Sequence, residues 1–235
     1  MKSILLLPIG GSATLMLGLP KFMLPANPEH TLIEQHVLGA LDAGYSDVYV
    51  IVSEKYFDLF HEFKVSKRLN VNVICLPKAT STMTETLVLG AREIPDFSSC
   101  EATIGMADTA FLGESFKEIY FRIRTHAEKV SLGLFKIRSD QFGKLGQVKI
   151  DDNGLVVDLK DKTHDCVFPQ IWGLAKLPGD LLLKSEVRDA HIGISIEKLL
   201  RTGVQVGSAL NTAEYFDCGT FNEYKKFLLT SPEVD

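Results

Sequence analysis

The sequence predicts an α/β protein built on an open, mostly parallel sheet with helices on both faces. Short apolar runs alternate with helix-period segments through most of the chain. Several of those runs are continuously apolar, which suits strands buried on both faces. Late in the chain a hairpin signal breaks the alternation and marks added structure.

Residues 3–9 form the first strand, which gives way at Gly10-Gly11. TLIEQHVLGALDAG (31–44) reads as a helix ended by Gly44, and DVYVIVS (47–53) as a second buried strand, completing a βαβ unit. The alternation continues with a helix in EKYFDLFHEF, a strand in NVNVICLP, a helix in TETLVLGAREI, a strand in ATIGMADTAF and a helix in ESFKEIYFRIRTHAEK. After VSLGLFKI, the segment GQVKIDDNGLVVDLKDK has two alternating runs joined by Asp-Asn-Gly, a hairpin. A helix in ISIEKLLRTG, a strand in VQVGSAL and a helix near FNEYKKFLL follow. With no repeat or long linker, residues 1–235 are expected to form one α/β unit with a C-terminal elaboration.

Composition narrows the function. The 235 residues are 46% apolar and 23% charged, enough for a sizeable core. A net charge of -5, with no basic run longer than Lys225-Lys226, argues against a nucleic-acid partner. Gly10-Gly11 and Lys21 interrupt the first apolar stretch before the roughly 20 residues of a membrane span, and no small-residue cleavage site follows, so membrane insertion is not expected. Cys75, Cys100, Cys166 and Cys218 lack C-x-x-C spacing, which signals neither zinc nor a disulfide framework and fits a reducing cytoplasm. His30, His36, His61, His126, His164 and His191 show no base-and-nucleophile spacing and are read as surface or core residues. Phe57, Phe60 and Phe63 have the helical spacing of a packing stripe.

In an open α/β sheet, ligands bind beyond the carboxyl ends of the strands, which places IGGSAT at the mouth of a site. Its glycines allow backbone N–H groups close to an anion, Ser12 and Thr14 add hydroxyl donors, and Lys21 can reach the same phosphates. The alternative is a tight turn with a surface lysine. Neither G-x-x-x-x-G-K-[ST] nor G-x-G-x-x-G is present. Asp108 stands where an apolar strand gives out, and Asp217 precedes Gly219-Thr220 and a helix. Each is also placed to cap a turn or a helix start. Across one cleft, two such carboxylates suffice for Mg²⁺ held over substrate phosphates.

The ordered segments GGSAT…PK, GMADT, LKDKT, IWGLAKLP and FDCGT resemble the nucleotidyltransferases that activate sugar 1-phosphates, such as glucose-1-phosphate thymidylyltransferase. The resemblance spans nearly the whole chain and implies a Rossmann-like, doubly wound sheet of the nucleotidyltransferase type. Residues 1–130 would serve mainly the nucleotide and 131–235 mainly the sugar phosphate. It implies a Mg²⁺-dependent reaction in which an NTP and a sugar 1-phosphate give a nucleotide sugar and pyrophosphate. Non-sugar phosphates such as phosphocholine are acceptors for related cytidylyltransferases.

By this resemblance Gly10, Gly11, Ser12, Thr14, Lys21 and Gly105 belong to the nucleotide site, and Asp108 and Asp217 are metal-binding and, with Lys21, catalytic. Asp161, Lys162 and Gly173 meet the sugar phosphate, with Trp172 a wall of the core or of the sugar pocket. The chain departs from the family in reading Thr14-Leu15-Met16 where Thr-Arg-Leu is usual, so the arginine that grips the triphosphate is replaced by Leu15. This opens an alternative, a catalytically weak or regulatory relative that binds nucleotide or nucleotide sugar. Asp161 stands for a glutamate and Thr163 for a proline. A homo-oligomer is compatible with the sequence, which specifies neither stoichiometry, base nor sugar.

Overall fold

The computed structural model describes residues 2–9, 20–163 and 167–231. Strand β1 (Ser3–Pro8) lies between parallel neighbours β2 (Asp47–Ser53) and β4 (Glu101–Ile104), and β3 (Asn72–Leu76) extends the sheet beyond β2. Beyond β4 come β9 (Gln170–Pro178), β6 (Val130–Lys136) and β10 (Val206–Leu210). Along this path β9 alone runs antiparallel to its neighbours. The sheet is therefore mostly parallel, as the sequence predicts. The Asp-Asn-Gly hairpin forms as β7 (Gln147–Ile150) and β8 (Val156–Lys160), and β7 joins β9.

Helices cover both faces because the side chains of β1 divide. Leu5 and Leu7 pack with Val37 of α1 (Leu32–Asp42), Phe60 of α2 (Glu54–Ser66) and Ile119 of α4 (Phe116–Arg124). Ile4 and Leu6 pack with Leu87 of α3 (Met83–Arg92), Leu182 of α5 (Gly179–Leu183) and Ile196 of α6 (Ile192–Arg201). All four β1 residues are at most 1% exposed, and each contributes about 1.5–3 kcal/mol by burial. Thr31 and Glu34 form a reciprocal capping box at the start of α1, and Gly44, at φ +85°, turns the chain away from its end.

Two sequence expectations change. The strand expected over ATIGMADTAF is broken. β4 stops at Ile104, a turn closed by Thr109 N–H to Met106 O at 3.1 Å follows, and β5 (Thr109–Leu112) pairs antiparallel with β11 (Glu214–Asp217) in a separate ribbon. Helix α7 (Phe221–Thr230) packs Tyr224 and Phe227 with Ala110 and Phe216 of that ribbon. The helix expected over 114–129 is shorter: Ser115 and Glu118 cap it, and α4 ends at Arg124. Periodicity also passes over β9, whose unbroken buried run occupies the middle of the sheet.

Candidate functional site

A cleft of about 670 Å³ opens beyond the carboxyl ends of β1, β3 and β4, the end of an α/β sheet where ligands bind. Lys21 enters it from a short 3₁₀ turn, Lys21–Met23. The next residue, Phe22, anchors that turn by packing edge-on against Phe60 and Phe63, with ring centroids 5.2 and 5.5 Å away. The packing stripe read in the sequence is thus the socket that seats the cleft lysine.

Asp108 and Asp217, distant in sequence, meet because β5 and β11 pair. The register sets Asp217 opposite Thr109, and the Cys218 N–H donates to the Asp108 carbonyl at 2.8 Å. Lys21 Nζ lies 2.7 Å from Asp108 Oδ2, while Asp217 Oδ1 accepts from the Gly219 N–H at 3.0 Å. Gly219 closes the cluster: a Cβ there would stand 2.8 Å from Asp217 Oδ1, 3.0 Å from Lys21 Nζ and 3.1 Å from Asp108 Oδ2.

Burial works against the Lys21 charge, but the charge and hydrogen bond of Asp108, helped by Asp217, outweigh it and raise the lysine pKa. Burial and then the Asp108 charge push the Asp217 carboxyl above its usual range, against the pull of the Gly219 amide, Lys21 and Lys162. Two like charges forced together in this way favour a bound cation. Hard carboxylate oxygens suit Mg²⁺, which takes one or two carboxylates and completes its shell with phosphates and water. Asp108 and Asp217 fit that role, and among the described residues no cluster of three or more metal-ligating side chains competes with them.

The same cleft is also lined by Lys162 and His191. Lys162 follows β8 with φ 53°, a conformation uncommon outside glycine. Asp161 beside it is raised by burial, opposed by the charges of His191 and Lys162 and by the Trp172 indole. Burial and Lys162 lower the His191 pKa, opposed by Asp161. The buried Trp172 Nε1–H lies near Asp161 but has no well-aligned hydrogen-bond acceptor among the described residues.

Of the residues singled out in the sequence, the structure brings Lys21, Asp108, Asp217 and Lys162 to one cleft. Gly105 and Gly173 lie in packed interior instead. A Cβ at 105 would stand 2.6 Å from the Tyr120 hydroxyl, and one at 173 would stand 2.5 Å from the Tyr215 ring and 2.7 Å from Phe135. Neither position has room for a side chain. Gly10, Gly11, Ser12, Thr14 and Leu15 lie outside the described residues. Lys2 is paired with Asp47 at 2.6 Å, on the far end of β1 from the cleft.

Sequence reasoning passed over His191 and the Thr80-Ser81-Thr82 run at the start of α3, which also line the cleft. Thr82 accepts from the Glu85 N–H at 2.9 Å and donates to Val187 O at 2.7 Å, and Met83 N–H donates to Ala190 O at 3.2 Å. The Thr-x-x-Glu spacing was a readable cap signal. The clasp to residues 187–190 joins segments too distant for any local signal.

Solved structures share this fold. The chain superposes on a glucose-1-phosphate thymidylyltransferase, so assigned, from Bacillus anthracis in complex with a sucrose, with a TM-score of 0.80 at 13% identity over 100% of this chain and 96% of that one. A UDP-glucose pyrophosphorylase complexed with UDP-glucose gives 0.76 at 15% identity over 97% of each chain. An inositol-1-phosphate CTP transferase from T. maritima gives 0.74 at 15% identity over 100% and 98%. The chain shares the fold of these three structures over 97–100% of its length. No family model and no curated protein sequence matches the chain.

Proposed function

We propose that this protein is a nucleotidyltransferase, moving a nucleotidyl group from an NTP to a sugar 1-phosphate or a similar phosphorylated acceptor. The convergence of Lys21, Asp108 and Asp217 on one point of the cleft carries the reading, and the likeness to solved nucleotidyltransferases supports it. A phosphate oxygen of the acceptor attacks the α-phosphorus in line, one P–O bond forms, the bond to the β-phosphate oxygen breaks, and pyrophosphate leaves. No protein nucleophile is needed, so the chain's work is positioning and charge neutralisation.

Lys21 neutralises the triphosphate and Lys162 holds the acceptor phosphate. The first part of the chain, 1–130, serves the nucleotide, and 131–235 serves the acceptor. Asp108 and Asp217 would hold Mg²⁺, which when bound supplies positive charge where negative charge accumulates.

Pyrophosphate release measured across four NTPs and a set of sugar 1-phosphates, with and without Mg²⁺, tests the reading; no release with any pair would end it. Lys162→Ala is expected to raise KM for the acceptor about tenfold or more and KM for the NTP far less. Equal effects on both would remove Lys162 from the acceptor side. Leu15 in place of the family's arginine favours a second reading, a slow or regulatory nucleotide-binding relative. Saturable NTP binding without turnover would select it.

A further inference from the structure

His36 is on α1, fully buried and outside the cleft lining. Its Nε2 lies 3.0 Å from the Thr109 carbonyl oxygen and its Nδ1 2.6 Å from the Tyr120 hydroxyl. A carbonyl only accepts, so Nε2 carries the proton and donates to it. In a neutral imidazole Nδ1 is then an acceptor, and the Tyr120 O–H donates to it. Burial keeps the ring neutral, with its pKa lowered to about 4. Phe116 and Phe111 pack edge-on against the imidazole, with centroids at 4.9 and 5.7 Å, so tautomer and orientation are both set.

This buried pair touches both ends of the turn that carries Asp108. At one end His36 holds the carbonyl of Thr109, whose hydroxyl in turn donates to Met106 O at 2.9 Å. At the other end the Tyr120 hydroxyl fills the space that any side chain at position 105 would need. The segment between them is fastened across to β11 by the Cys218 N–H.

We infer that His36 and Tyr120 are positioning residues that set the place of Asp108 relative to Asp217, acting through the Thr109 carbonyl and the Gly105 backbone. The inference rests on the reading of Asp108 and Asp217 as the metal-side carboxylates. A pair that served packing alone would add stability and nothing else. A pair that fixes the turn also sets metal affinity, since groups that orient ligands typically change it 10–100-fold when lost.

The test uses Tyr120→Phe, which keeps the ring and removes the donor, His36→Leu, which removes both bonds, and His36→Gln, which keeps a side-chain N–H for Thr109. The readout is the Mg²⁺ concentration giving the half-maximal rise in Tm at fixed NTP, which needs no turnover. Leu182→Ala, in the core on the other face of the sheet, serves as a destabilised control. Tyr120→Phe and His36→Leu are expected to raise the half-maximal Mg²⁺ concentration about tenfold or more. His36→Gln should lie nearer wild type, and Leu182→Ala should lower Tm with no change in that concentration. Variants that lose Tm but keep the wild-type Mg²⁺ response overturn the inference; Tyr120→Phe and His36→Gln decide it should His36→Leu not fold. A wild-type protein with no Mg²⁺-dependent shift overturns the metal reading itself, and the inference falls with it.

Discussion

A methyl group at position 219 would touch Asp217, Lys21 and Asp108 at once. Those groups cannot yield without dispersing the cluster, so Gly219→Ala is expected to cut kcat about a hundredfold, the size of a lost preorganised charge contact. Asp108→Asn and Asp217→Asn should each abolish metal-dependent turnover in a protein that still melts cooperatively. Either asparagine variant retaining near-normal Mg²⁺-dependent activity removes that residue from the site. Leu15 poses the opposite experiment. Placing a guanidinium where the nucleotidyltransferases it resembles have one should raise kcat, by up to about a hundredfold if the triphosphate lacks another donor there. A folded Leu15→Arg with unchanged or lower kcat defeats that argument, and a lower Tm with lost activity shows that Leu15 packs in the loop.

At the scale of the element, the clasp between α3 and residues 187–190 joins two segments that line the cleft. Thr82 both caps α3 and bonds Val187, so Thr82→Ala should cost about 1–2 kcal/mol. It should also raise KM for both substrates, and a urea midpoint shift without any change in KM would leave the clasp a stabilising contact only. Elements were legible where local chemistry decides them: the continuous apolar run of β1, the Asp-Asn-Gly turn of the hairpin, and Gly44 at the end of α1. They were illegible where a distant partner decides. ATIGMADTAF reads as one strand because most of its residues are apolar, yet β5 leaves the sheet to pair with β11. The site divides the same way. Asp108 and Asp217 stood out as carboxylates at strand ends, whereas His191 had no local mark and reaches the cleft only through the folding of the start of α6. At Gly105 and Gly173 a neighbouring ring stands where a Cβ would go, and in sequence such a glycine looks identical to one required by a ligand.

For the molecule as a whole, the buried His36 links stability to pH. Its folded pKa of about 4 lies below the ordinary histidine value of 6.5, so the unfolded chain takes up a proton first as the medium is acidified. The contribution is fully present above pH 6.5 and drains away as pH falls to about 4, a loss of about 3 kcal/mol. Urea unfolding from pH 7 to 4.5 should show this slope in the wild type and a shallower one in His36→Gln; parallel slopes would mean that carboxylates alone govern the acid limb. The antiparallel β9 has a different consequence, one for biosynthesis. It lies between β4 and β6 yet follows both in the chain, by about a third of the length of the sheet-forming sequence in the case of β4. Until Gln170–Pro178 has left the ribosome, β4 presents an open edge and β6 has neither of its neighbours. An unpaired edge of that kind recruits other chains. The nascent polypeptide therefore carries this open edge until β9 emerges, and one late strand closes the gap.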